Sequence, residues 1–172
     1  QSEFTTEEPT VKFMGTFDSN FEVKFNGEVI KLNEAGNFYY EKDLDVGLNV
    51  FTIEHKGKTI TYRITRKVTV LKSATPAPGN LNVEGSTNVS ITAIAYKGST
   101  VTATVNGKTI KLEPQEGTVE GYENSNYIRY TGVYTVPKGI INRAQNLGSI
   151  SIYGKYTGKN GVAFTGSITG AT

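Results

Sequence analysis

Apolar and polar residues alternate with a period of two along most of the chain, and a helical period is nearly absent. In the N-terminal part the alternation predicts strands over residues 10–16, 21–25, 28–32, 37–41, 48–55 and 58–65, then one more over 67–71. The expected inward sets there are Val11/Phe13, Phe21/Val23/Phe25, Ile30/Leu32, Phe38/Tyr40, Phe51/Ile53 and Ile60/Tyr62/Ile64. Farther on, strands are predicted over 88–96, 100–105, 108–112, 127–136, 149–156 and 162–168, with room for one helical turn over 140–145. Short strands spaced this way and separated by Gly or Asn turns predict an all-β sandwich or barrel.

The pattern also repeats. Val23–Leu32 and Ala103–Leu112 each place an Asn-Gly pair, Asn26-Gly27 and Asn106-Gly107, between alternating apolar residues. Asn-Gly is the strongest short hairpin signal, because a type I′ turn needs positive φ at both central residues. Downstream, Gly36-x-Phe38-x-Tyr40 parallels Gly132-x-Tyr134-x-Val136, which sets Tyr134 facing the core as Phe38 does. Lys56-Gly57-Lys58 and Lys159-Asn160-Gly161 supply matching late hairpins. The chain therefore divides into a module over 9–72, a Pro/Gly linker over 73–80 and a second module over 81–172. The modules diverge most at an insertion over 113–126, which carries Glu113, Glu116, Glu120 and Glu123 in a module without Asp. With Val119 as its only aliphatic residue besides proline, it must either pack flat against the sandwich or move in solvent.

Composition narrows the function classes. Of 172 residues, 18 are basic and 16 acidic, interspersed to a net charge of +2, which gives no basic stripe for nucleic acid. No apolar run approaches the roughly 20 residues that span a bilayer. The start, Gln1-Ser2-Glu3-Phe4-Thr5-Thr6-Glu7-Glu8, is polar and acidic, unlike a signal peptide, and reads as a mature or excised segment. Cysteine is absent and His55 is the only histidine, so neither a disulfide framework nor a zinc site of several His or Cys ligands is expected. A Ser-His-Asp triad would need His55 with Asp18, Asp43 or Asp45, and no Gly-x-Ser-x-Gly elbow presents a nucleophile. No catalytic residue, metal ligand or cofactor site is expected.

The insertion holds the candidate chemistry. Its carboxylates are spaced too widely for a calcium loop, and a small sandwich lacks the deep cleft of a glycosidase. Tyrosines cluster beside it, and tyrosine can stack on a sugar ring while its hydroxyl hydrogen-bonds. Tyr122, Tyr127, Tyr130, Glu120 and Glu123 are the candidate binding residues.

These motifs resemble a known family. Pro9-Thr10-Val11, Phe21–Gly27 and Gly47-Leu48-Asn49-Val50-Phe51-Thr52-Ile53 are similar to bacterial immunoglobulin-like modules, in the order Asn-Gly hairpin, Gly-x-Phe strand, Gly-x-Asn-x-φ-x-φ, where φ is any apolar residue. Ile91–Gly98 and Gly132–Pro137 resemble a companion domain. Such pairs look like the non-catalytic N-terminal region of secreted Firmicutes cell-wall hydrolases, especially N-acetylmuramoyl-L-alanine amidases. The resemblance implies two tandem immunoglobulin-like β-sandwich domains, an extracellular bacterial location and a spacer or cell-wall-targeting role. The implied partner is peptidoglycan or another cell-wall glycan, met by a monomer. The zinc-ligand motifs of the amidase domain are absent from this stretch, so the segment itself is expected to lack hydrolase activity. The alternative is a segment of a surface adhesin that binds a glycan or protein.

Overall fold

The computed structural model describes residues 2–172. The described residues form strands and turns with no α-helix, so none is long and apolar enough to cross a membrane. Two compact units emerge, one comprising the chain through Val68 together with Thr157–Ala163, the other Thr69–Tyr156 and Phe164–Thr172.

The first unit contains β1 (Glu3–Thr6), β2 (Thr10–Thr16), β3 (Val23–Phe25), β4 (Glu28–Ile30), β5 (Asn37–Asp43), β6 (Gly47–His55) and β7 (Lys58–Arg66). One sheet runs β1-β7-β6-β3-β4, with β1 parallel to β7, and the second is the β2-β5 pair. Side chains from both sheets build one core of Phe13, Val23, Phe25, Ile30, Phe38, Phe51, Ile53 and Ile64. Phe13 is its hub, meeting the rings of Phe25, Phe51 and Tyr62 edge-on at 5.1, 5.2 and 5.3 Å, the geometry that the ring quadrupoles favour.

The second unit contains β8 (Leu71–Thr75), β9 (Asn88–Tyr96), β10 (Thr100–Val105), β11 (Lys108–Pro114), β12 (Tyr127–Thr135), β13 (Ser151–Thr157) and β14 (Ala163–Thr169). Their order, β14-β13-β10-β11-β12-β9-β8, is one continuous ladder folded on itself. β11 makes the fold possible: Lys108–Leu112 pair with β10, and Glu113 and Pro114 then pair with β12. In both units the second and fifth strands pair, and the third, sixth and seventh lie together. That is the immunoglobulin-like order, so the chain is two immunoglobulin-like β-sandwich units.

The repeat lies where the turn chemistry put it. Asn26 and Gly27 have φ of 52° and 84°, and Asn106 and Gly107 have 51° and 73°, so each pair turns between the third and fourth strands of its unit. Alternation also tracks burial, with Ile91, Ala93 and Ala95 on β9 and Val101 and Ala103 on β10 sealed from solvent.

Several expectations need correction. Phe21 lies outside β3 and is half exposed, its ring lying under the Lys56 ammonium at 4.9 Å and beside His55. Ile60 is also exposed although Ile53 across from it is buried, because β1 pairs with β7 only over Arg63–Arg66 and leaves β7 an open edge at Ile60. Residues 3–6, read as a polar lead-in, form β1 and place Phe4 against the core. The strand expected over 67–71 lies instead at Leu71–Thr75, paired with β9, so the expected linker over 73–80 begins inside a strand. Over residues 140–145 there is one tight turn at Ile141-Asn142, closed by Arg143 N–H to the Ile140 carbonyl with Asn142 at positive φ, and no helical turn. The turn at Thr157–Ala163 groups with the first unit, where Lys159 exchanges backbone hydrogen bonds with Val46 and Leu48.

Gly36 and Gly132, aligned by sequence, do different work. Gly36 has φ of +81° in the turn before β5, where a Cβ would meet the Phe17 carbonyl. Gly132 lies inside β12, where a Cβ would press on Leu112 at 2.6 Å. The true strand ends make the fourth-to-fifth-strand loop residues 31–36 in one unit and 115–126 in the other, a smaller difference than the sequence alignment gave.

Candidate functional site

The inserted loop is fastened down. Gln115 N–H donates to the Arg129 carbonyl at 2.7 Å, and Lys97 N–H to the Asn126 carbonyl at 2.6 Å. Between these ties are two successive turns, closed by Tyr122 N–H to Val119 O and Ser125 N–H to Tyr122 O. Val119 is buried, so the lone aliphatic residue anchors the loop flat against the sandwich. Glu123 trims the first turn: its Oε1 accepts the Gly121 N–H at 3.0 Å. That bond holds its carboxyl below the usual carboxylate range. On acidification the Gly121 amide resonance should therefore titrate with Glu123, with a midpoint below that of an unperturbed glutamate. A midpoint at or above that value in a proton-detected NMR titration would show that the bond is not formed.

The loop ends on a row of tyrosines. Tyr122 stacks obliquely on Tyr127 at 5.7 Å; Tyr127 meets Tyr96 edge-on at 5.5 Å, and Tyr96 meets Tyr156 at 4.8 Å. Lys72 places its ammonium 4.9 Å over the Tyr127 ring, and the Tyr127 hydroxyl donates to the Thr69 carbonyl at 2.7 Å. The Tyr96 hydroxyl accepts from the Asn126 amide. Tyr122 and Tyr127 are half-buried, while Glu120 and Glu123 are exposed beside them.

Of the five residues singled out from sequence, four gather here: Tyr122, Tyr127, Glu120 and Glu123. Tyr130 does not. It is 1% exposed, its hydroxyl donates to the Tyr96 carbonyl at 3.0 Å and accepts the Ser99 N–H at 3.2 Å, and no ring face is open to a ligand. Tyr96, Tyr156 and Lys72 were missed. Only their strand ends, brought together by the fold, place them beside the loop. The platform combines apolar ring faces, phenol hydroxyls, carboxylates and one ammonium, with an ionised glutamate and no nucleophile–base pair among them.

His55 is elsewhere. Its Nδ1 lies 3.2 Å from the Glu22 carbonyl and its ring packs 4.9 Å from Phe17, bracing the β2–β3 loop. The Lys56–Asp18 ion pair, at 3.0 Å, pins the same loop. Among the described residues no three His, Cys, Asp or Glu side chains gather as metal ligands would.

No family model matches the sequence, and no curated protein matches it. Solved structures with a similar course of chain include bovine butyrophilin, at 9% identity and a TM-score of 0.40, covering 97% of this chain and 93% of that one. A second is the Bacteroides ovatus mixed-linkage glucan utilization locus protein SGBP-B in complex with a mixed-linkage heptasaccharide, at 14% identity and 0.25. The match covers 99% of this chain and 42% of that one. A third is Dpr2 Ig1-Ig2 in complex with DIP-Theta, at 13% and 0.30, covering 99% and 61%. The assignment of the fold rests on the strand order described above.

Proposed function

We propose that this chain is a non-catalytic binding and spacing segment of an extracellular bacterial protein, one that holds a cell-wall hydrolase of the amidase type near peptidoglycan. The observation that carries this reading is the anchored loop, which presents Tyr122 beside Tyr127 with Glu120 and Glu123 at its margin. A sugar ring has an apolar C–H face and a rim of hydroxyls. The first suits a tyrosine face, and the second suits carboxylates and phenol oxygens. Two immunoglobulin-like units also suit a spacer, because the fold carries variable loops on a fixed frame. The wider resemblance to amidase-associated modules, set out above, supports the hydrolase partner.

Titration of the whole chain with muropeptides should shift the amides of residues 119–127 and of Tyr96. Tyr122→Ala should weaken binding about tenfold, the effect of losing roughly 1.4 kcal/mol of ring contact. Shifts confined to the first unit would remove the platform from consideration. So would affinity unchanged by both Tyr122→Ala and replacement of residues 116–124 with a short Gly-Ser turn.

A further inference from the structure

A second feature of the second unit lies at the other end of its strands. β9 runs from Val89 toward Tyr96, and β12 from Tyr127 toward Tyr134. The tyrosine row occupies one end of these strands, and a cavity of about 560 Å³ opens at the other. That volume falls within the roughly 300–1,000 Å³ of small-molecule sites.

The chemistry of the cavity is uneven. Val89, Val105 and Ile150 give it an apolar floor, and Leu81 and Val83 stand exposed at its margin. Arg143 is the one charged side chain lining it, and among the described residues that guanidinium makes no ion pair or hydrogen bond. Tyr134 also lines it. This residue is 4% exposed, yet its hydroxyl bonds to no described residue, unlike the doubly bonded hydroxyl of Tyr130 on the same strand. The Tyr134 hydroxyl is not sealed from solvent, since the buried unpartnered side-chain atoms among the described residues are Arg66 Nε and Ser99 Oγ, so it is free to donate to a ligand in the cavity that Tyr134 lines.

We infer that this cavity binds a small apolar carboxylate, its acid group taken by Arg143 and Tyr134 and its hydrocarbon body laid on Val89, Val105 and Ile150. A guanidinium and a phenol both donate, and a carboxylate only accepts. A cationic ligand would face Arg143, and a neutral polar one would waste the floor. The same chemistry comes from two sources, a free acyl acid or the carboxyl terminus of an apolar peptide. This inference is independent of the glycan platform.

The test is NMR titration of the whole chain with decanoate, decylamine, N-acetyl-Leu-Leu and N-acetyl-Leu-Leu-amide. Decanoate or the free peptide acid should shift the amides of Val105, Val136, Leu147 and Ile150 saturably, while leaving Tyr122 unmoved. Whichever acid binds more tightly identifies the source. Arg143→Gln should weaken that acid about tenfold and Tyr134→Phe about fivefold, both within the range of charge-assisted and neutral hydrogen bonds. Ala144→Trp, at an exposed lining position, should block the mouth and abolish the shifts. The inference is overturned if neither acid gives a saturable shift at millimolar concentration. It is equally overturned if decylamine or the amide binds as well as the acids, or if Arg143→Gln binds undiminished.

Discussion

Replacing Asn49 with leucine should unfold the first unit, or leave it only marginally folded at 37 °C. Asn49 is 2% exposed, the one buried polar residue of its kind among those described, and its amide is fully used. Its Nδ2 donates to the carbonyls of Asp45, Gly47 and Ile64 at 2.8, 3.2 and 3.2 Å, and its Oδ1 accepts the Asp45 N–H at 3.0 Å. The need is set by the chain before it. Between β5 and β6, Leu44 and Val46 turn inward and are buried, which carries their flanking backbone away from water. A buried peptide group without a partner costs about 1–3 kcal/mol. Arg66 takes the Leu44 carbonyl at 2.8 Å, Pro9 O takes the Leu44 N–H, Lys159 takes the Val46 carbonyl, and Asn49 takes the Asp45 N–H with the Asp45 and Gly47 carbonyls. Leucine keeps the branched outline at a larger volume and strands one N–H and at least one carbonyl, a loss of about 3–5 kcal/mol. A module this small starts from the lower part of the usual 5–15 kcal/mol. Denaturant unfolding followed at Val23, Ile53 and Ile64 would measure the change, and a loss below about 1 kcal/mol would show that water serves the corner equally well.

The sequence motif that contains Asn49 illustrates what was legible. Gly47-x-Asn49 was read as a signature of the fold, while the reason for the asparagine appeared only once the β5–β6 corner closed over it. Local rules carried far: the Asn-Gly turns, the alternating strands and the core phenylalanines all follow from neighbours along the chain. Failures came where partners are distant in sequence. Phe21 has strand-like neighbours but is taken by Lys56 and His55, and β11 crosses between sheet halves despite ending in a proline. The stretch after residue 73 reads as a linker from its prolines and glycine, although its first residues pair with β9, a partner the sequence does not announce. The cavity draws on residues from Asn80 to Thr172, a set no local pattern gathers. Tyr130 is different, since its burial was readable. It lies four residues before Tyr134 on one strand, and a period of two puts both on one face. The abundance of tyrosine near the loop obscured that parity.

That face makes Tyr130→Ala the most damaging change expected in the second unit. The ring sits among Ile91, Ala93, Val101 and Leu112 in a core with no other aromatic residue as deeply buried. Truncating a large buried ring to alanine costs about 3–5 kcal/mol, depending on how far the walls relax. Here the walls are carried by β9, which pairs with β12 in unbroken register, and by the paired strands β10 and β11, so little collapse is available. The hydroxyl adds a separate effect, because it closes the β9–β10 corner through Tyr96 O and Ser99 N–H. Tyr130→Phe keeps the ring and loses the bridge, at about 1–2 kcal/mol. The two variants thus separate packing from hydrogen bonding. The pH dependence gives an independent check. Burial raises the Tyr130 phenol above its ordinary value, the hydrogen bonds from the Ser99 and Gly98 backbone opposing this in part. The folded state therefore holds the proton more tightly than the unfolded chain, and its advantage is complete below the unfolded pKa of about 10. It is lost as pH rises from there through the folded value. Wild-type stability should fall above about pH 10, and Tyr130→Phe should fall less steeply over the same range. Parallel alkaline curves for the two proteins, measured by urea unfolding at each pH, would show that Tyr130 ionises as freely in the folded chain as in the unfolded one.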